Sequence, residues 1–202
     1  IPETEMFWND RESLISKMAS SAAHLMGKPK VSSETGTWVT EHFHETLGDL
    51  KDLIDQLFAA GINHVFYHGT CYSPDDAAWP GWVFYAATQM NPRNAIWHDA
   101  PILNAYIARC QSFLQTMTPA NDVLLYWPIA DLWHHPDGLA MGLGVHDRKW
   151  LDEQPFGITA RELWQKGYPF DFVSDRLLAH AQVRGDRVMM PGGHSWVHAP
   201  RD

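Results

Sequence analysis

Glu34 stands in the segment Val-Ser-Ser-Glu-Thr-Gly-Thr-Trp (31–38), just past a short apolar run at Lys30–Ser33 that reads as a strand. Parallel α/β barrels project their reactive groups from the C-terminal ends of strands. A carboxylate there has the chemistry of a nucleophile or a general base. Glycosidic bond cleavage needs two carboxyl groups flanking the bond. The plain alternative is a surface glutamate on a loop. Glu3 and Glu5 lie in the opening segment Ile1–Asn9, read as a loop. If a strand precedes it, both share the rim with Glu34, as ligands of substrate or of a hard cation, which takes carboxylate oxygens. A solvated acidic loop explains them equally well.

Glu41-His42-Phe43-His44-Glu45 resembles a metal motif only superficially. Histidines two apart do not share a helix face, and the His-Glu-x-x-His zinc pattern is absent. A rim loop donating hydrogen bonds to sugar hydroxyls fits better. His68, Thr70 and Tyr72 follow the next strand and belong on the same rim, with a packed core histidine as the ordinary reading of His68. Trp79-Pro80-Gly81-Trp82 lies in the long loop 71–98. Most of its aromatics are expected to pack that loop down.

These residues need a scaffold. Arg11–Met26 has helical periodicity, with Asp10 as its N-cap and Gly27 as its stop. The stripe Leu47, Leu50, Leu53, Ile54, Leu57, Phe58 predicts a second helix starting at Thr46 or Gly48. Ile62–Tyr67 reads as a buried strand, and about 99–117 as a third helix. The first part thus reads helix, strand, helix, strand, helix, the pattern of a parallel α/β fold. Two strands cannot close a barrel or cover their own edges. Thr118–Asp122 reads as a linker. Beyond it, Val123–Trp127 and Phe170–Val173 read as strands, Ala160–Lys166 and Asp175–Ala181 as helices, and Val188–Val197 as a hairpin around Gly192-Gly193. Trp127, Asp131, Trp133, His134 and His135 open the first loop of this part. It has the look of a doubly wound domain cut after two strands.

Composition narrows the function classes. The chain has 202 residues, 45% hydrophobic, and a formal net charge of −9. An acidic surface repels phosphate backbones, so nucleic acid is not expected as a partner. No apolar run approaches the roughly 20 residues that span a bilayer, so no membrane partner is expected. Ten Trp and twelve His suit either a Trp-rich core or a sugar site, where pyranose C–H faces stack on aromatic rings. Cys71 and Cys110 read as ordinary thiols, with a single bridge left open. Gly138–Gly144 lacks the spacing of a dinucleotide loop, and no Walker motif or Gly-x-Ser-x-Gly elbow occurs.

Four segments together resemble the α-L-rhamnosidases of glycoside hydrolase family 106: Ser-Ser-Glu-Thr-Gly-Thr-Trp (32–38), Gly-Ile-Asn-His-Val-Phe-Tyr-His-Gly-Thr (61–70), Trp-Pro-Gly-Trp (79–82) and Asp-Val-Leu-Leu-Tyr-Trp-Pro (122–128). The likeness runs from Ala22 to Trp133. It implies that residues 1–118 are the C-terminal portion of a (β/α)8 TIM-type barrel. Residues 119–202 would then start a flavodoxin/amidotransferase-like doubly wound domain, similar to the module after the barrel in family 42 β-galactosidases. It further implies a glycosidase of plant or bacterial polysaccharides with Glu34, on the seventh strand, as the general base of an inverting reaction. The general acid would lie on an earlier strand, unless Glu3 or Glu5 plays that part. The expected substrate-binding set is Glu3, Glu5, Trp38, His42, His68, Tyr72 and Trp82, with no residue assigned to a metal. Family members are associated with calcium, whose ligands the residues do not place. The remainder of a longer parent is expected to complete the barrel, and the chain alone to be inactive and poorly soluble. The parent is expected in the bacterial periplasm or secreted. A retaining β-glycosidase, or a non-catalytic sugar-binding module using the same rim, are the other readings.

Overall fold

The computed structural model describes residues 1–9 and 11–197. Asp10, the expected helix cap, lies outside them, as do the last five residues. The chain divides into two compact units: Ile1–Ser16 with Lys30–Met117, and Lys17–Pro29 with Thr118–Asp202.

The first unit is a three-stranded parallel sheet in the order β1 (Glu3–Phe7), β2 (Ser32–Thr37), β3 (His64–Tyr67). The opening segment is therefore a strand, where the sequence read a loop. Its alternation Glu-Thr-Glu-Met places Met6 in the core and both acids on the other face. β2 also starts and ends later than expected, so Glu34 lies within it rather than beyond it. The apolar rule fails here because the strand buries Ser32, Ser33, Thr35 and Thr37, small polar residues whose hydroxyls bond Glu3, Glu5 or nearby carbonyls. β3 is not the buried strand expected; Phe66 is half exposed.

Two helices support the sheet. α2 (Leu47–Ala59) starts at Thr46, whose hydroxyl accepts from the Asp49 amide while the Asp49 carboxylate accepts from the Thr46 amide. This reciprocal capping box satisfies two donors that the helix start would leave unpaired. Leu50, Leu53, Ile54 and Leu57 bury its apolar stripe. At about 25 cal/mol per Å² of apolar area, each such leucine contributes on the order of 2 kcal/mol. α3 (Ala100–Leu114) follows a short 3-10 turn at Ala95–His98. It is tied to β3 by Gln111, whose Oε1 accepts from the Val65 amide, and by Asn104, which accepts from the Tyr67 hydroxyl.

In the second unit, β4 (Val123–Tyr126) pairs in parallel with β5 (Phe170–Val173). Between them lie α4 (Ile129–His134), α5 (Lys149–Asp152) and α6 (Pro155–Gln165). Asp131, Trp133 and His134 thus sit on a helix where a loop was expected, and α6 starts five residues earlier than its apolar pattern suggested. After α7 (Asp175–Leu178), β6 (Gln182–Arg184), β7 (Arg187–Met189) and β8 (Ser195–Val197) form an antiparallel sheet that includes the expected hairpin. Leu25, Val173, Met190 and Trp196 form its buried cluster.

The start of α1 (Ser13–Leu25) counts with the first unit, while Lys17–Pro29 counts with the second. There Asp171, fully buried, accepts from Asn121 at 2.8 Å and pairs with His24 Nδ1 at 2.9 Å, with Lys17 Nζ 3.9 Å away. Burial lowers the Lys17 pKa, an effect that Asp171 opposes. Gly27 and Gly192 touch backbone to backbone, so a Cβ on Gly192 would lie 2.1 Å from the Gly27 nitrogen. Among the described residues, no helix is long and apolar enough to cross a membrane.

Candidate active site

The parallel register sets Glu5 beside Glu34 and Glu34 beside Phe66. Adjacent strands lie about 4.8 Å apart, so aligned side chains on one face meet. The two carboxyl groups thus face each other across the β1–β2 pair. Glu3, two residues before Glu5 on the same face, accepts from the Ser32 hydroxyl at 2.6 Å. α3 lies on the opposite face: Tyr67, whose hydroxyl donates to Asn104 of α3, alternates with Phe66.

Thr37 joins the acidic group because of an irregularity in β2. Pairing jumps from Met6–Thr35 to Phe7–Thr37, leaving Gly36 as the extra residue of a bulge. Gly36 takes φ +88°, open to glycine at no steric cost. The inserted residue returns Thr37 to the Glu34 face. Its hydroxyl lies 2.8 Å from Glu5 Oε1 and 3.5 Å from Glu34 Oε1. A glycine inside a strand was the one signal for this in the sequence.

β3 delivers His68. Its amide donates to the Thr35 carbonyl at 2.8 Å, extending the ladder one residue past the strand. Its Nε2 lies 3.8 Å from Glu34 Oε1. The Glu34 side chain is 43% exposed, so it is neither sealed in the core nor free in solvent. Its pKa is raised, first by desolvation, then by the Glu5 carboxylate; His68 acts the other way. A raised carboxylate takes a proton more readily near neutral pH, as a general base must.

The other expected residues scatter around this core. Trp38 is 5% exposed, stacked on Trp8 at 4.6 Å with its Nε1 donating to the Glu41 carbonyl, so it is a wall of the loop. His42 is half-buried and meets the Gln89 amide at 3.2 Å. Tyr72 and Trp82 are 79% and 62% exposed. They flank Ser73, which bonds the Trp82 amide. A cleft of about 440 Å³ lies here, lined by Thr70, Tyr72, Ser73, Asp75, Asn91 and Arg93. Cys71 and Cys110 are free thiols.

Sequence reasoning gave no role to the segment 84–90, which with 91–94 braces the rim. Ala86 accepts from the Trp38 amide, Thr88 donates to the His68 carbonyl, and Gln89 Nε2 donates to the Phe84 and Ala87 carbonyls. Asn94 donates to Glu45 Oε1 at 2.9 Å. The segment is neither helix nor strand, so no period marks it.

Glu45 is buried, and its Oε2 has no partner among the described residues. Burial pushes its pKa up despite the Asn94 bond. A raised folded pKa means the folded state holds its proton longer than the unfolded state. The associated stability is full below the ordinary glutamate value and is lost as pH rises through the folded value. Glu45→Gln is therefore expected to stabilise the first unit by about 1 kcal/mol near neutral pH. The gain should vanish below about pH 4. Thermal melts at both pH values check this, and an equal shift at both would refute it.

Calcium takes six to eight oxygen ligands. Among the described residues, no group of three or more His, Cys, Asp and Glu side chains converges to hold a metal. Glu3 and Glu5 accept from the Ser32 and Thr37 hydroxyls.

The sequence profile of the alpha-L-rhamnosidase family matches residues 5–135. A Formosa agariphila protein provisionally named a beta-glucuronidase is 28% identical over 178 residues, covering 88% of this chain and 13% of that protein. The fold is similar to that of a rhamnosidase from Novosphingobium sp. PP1Y, with a TM-score of 0.64 at 21% identity, over 96% of this chain and 18% of that one. The chain thus spans less than a fifth of either relative. With more than half of its length matched, the chain belongs to the alpha-L-rhamnosidase family of glycoside hydrolases.

Proposed function

We propose that the protein carrying this chain hydrolyses α-L-rhamnoside-type bonds in plant or bacterial polysaccharides, with Glu34 as general base. The observation that carries this reading is the raised, half-exposed Glu34 carboxyl on the open face of a parallel sheet, beside His68. Glu34 would take a proton from water as the water oxygen attacks the anomeric carbon. Acid and base are separated by about 5 Å or 6.5–9.5 Å in the two reaction classes. The acid would come from an earlier strand of the parent chain, unless Glu3 or Glu5 plays that part.

The same reading makes residues 1–118 the closing part of a (β/α)8 barrel and residues 119–202 the start of an amidotransferase-like domain. Three parallel strands with helices between them, acids on the face away from α3, and a parallel β4–β5 pair support it. The rest of the parent chain would pair the open edges of β1 and β3.

Tyr72, which lines that cleft, and Trp82, whose amide bonds Ser73 in its wall, would contact the leaving-group sugar. Tyr72→Ala and Trp82→Ala are each expected to lower kcat/KM on oligosaccharides about tenfold, equivalent to about 1.4 kcal/mol. Aryl rhamnosides, which lack that sugar, should be cleaved at the original rate. Equal losses on both substrates would remove these residues from the leaving-group side.

A further inference from the structure

We propose that His68 is the positioning residue of the Glu34 base: its imidazole, pinned through Nδ1 to the Ala86 carbonyl, presents Nε2 to Oε1 of Glu34 and holds that carboxylate against its two acidic neighbours. The inference rests on the reading of Glu34 as base.

The tautomer follows from the partner. His68 Nδ1 lies 2.9 Å from the Ala86 carbonyl oxygen, which can only accept. Nδ1 must carry the hydrogen of that bond, so it is the imidazolium, with its second hydrogen on Nε2, that donates to the Glu34 carboxylate. The ring has little freedom to turn. Phe84 meets it edge-on, with centroids 5.4 Å apart and planes at 89°. The backbone is held at both ends, by the His68 amide on the Thr35 carbonyl and by the Thr88 amide and hydroxyl on the His68 carbonyl. At 3.8 Å, Nε2 and Oε1 stand within ion-pair range, and a small side-chain rotation closes them to a hydrogen bond.

The need for such a partner is set by the surrounding charges. From β1, Glu5 and Glu3 face Glu34; from β2, the Thr37 hydroxyl; from the end of β3, His68. The two acids favour the protonated form of Glu34, in which it cannot take a proton from water. Only His68 in this set opposes them. Pinning by Ala86 makes that opposition directional, since the ring cannot turn its other nitrogen toward the carboxylate.

The test uses the full-length enzyme and the pH profile of kcat/KM, whose acid limb reports the base of the free enzyme. His68→Phe removes the imidazole but keeps a flat ring. The acid limb is expected to move to higher pH by about half a unit or more. His68→Gln retains an N–H at similar reach and should give an intermediate shift. It also carries the test if the Phe variant does not fold. An unmoved limb, or an even loss at every pH, overturns the proposal, because a merely structural role lowers activity without shifting the profile. Glu34→Gln, measured in parallel, separates the two readings. If it keeps full turnover, the base assignment fails. If it is inactive while the His68 variants keep the original limb, only the role of His68 fails.

Discussion

Glu34→Gln in the full-length protein is expected to lower kcat roughly 10³-fold, about 4 kcal/mol of transition-state stabilisation, with KM changed little. The substitution keeps the shape and most of the hydrogen bonding of the side chain. Thr37 can still donate to its oxygen. What is lost is the capacity to take a proton. Binding depends on groups around the site and should persist, so the loss belongs in kcat. The measurement is steady-state hydrolysis of an aryl α-L-rhamnoside. Turnover within a factor of about ten of the original would show that another group activates water, because a positioned base contributes 10²–10⁴-fold.

The second large effect concerns stability. Asp171→Ala is expected to destabilise the second unit by about 3–5 kcal/mol. Asp171 has no exposed surface and gathers Asn121, His24 and Lys17. Removing it leaves the Lys17 ammonium buried without its counter-charge, in surroundings that already disfavour the charged form. Replacing both partners, Lys17→Met with Asp171→Leu, should cost far less, because no lone charge remains inside. Backbone hydrogen exchange in β4 and β5 reads the difference: the single variant should exchange at least about a hundredfold faster. If the two variants exchange alike, the pair is not what holds this region.

Much of this was legible before any coordinates, and the parts that were not share a cause. α2 was readable from Thr46 onward because its stripe and its cap agree. His68 was readable as following a strand, whereas Glu34, expected just past one, lies inside β2. β1 escaped because Glu-Thr-Glu looks like a loop, although its period of two is that of a strand with one polar face. β2 was shortened because the residues it buries are Ser and Thr, which apolar scanning passes over. The brace at 84–94 and the Asp171 cluster could not be read at all. Their bonds are long-range, the His24–Asp171 pair spanning 147 positions, and a local pattern carries no trace of a partner so far away.

That separation also sets an order in time. A ribosome adds about 5–20 residues per second, so Asp171 emerges roughly 7–30 s after His24. Through that interval Lys17–Pro29 exists without the strands that complete its unit. The segment must wait, with Leu25 uncovered and Lys17 still hydrated, while Lys30–Met117 is made and can begin to fold on its own contacts. A nascent chain halted at Met117 should therefore present this stretch to chaperones, and release it once Phe170–Val173 has been made.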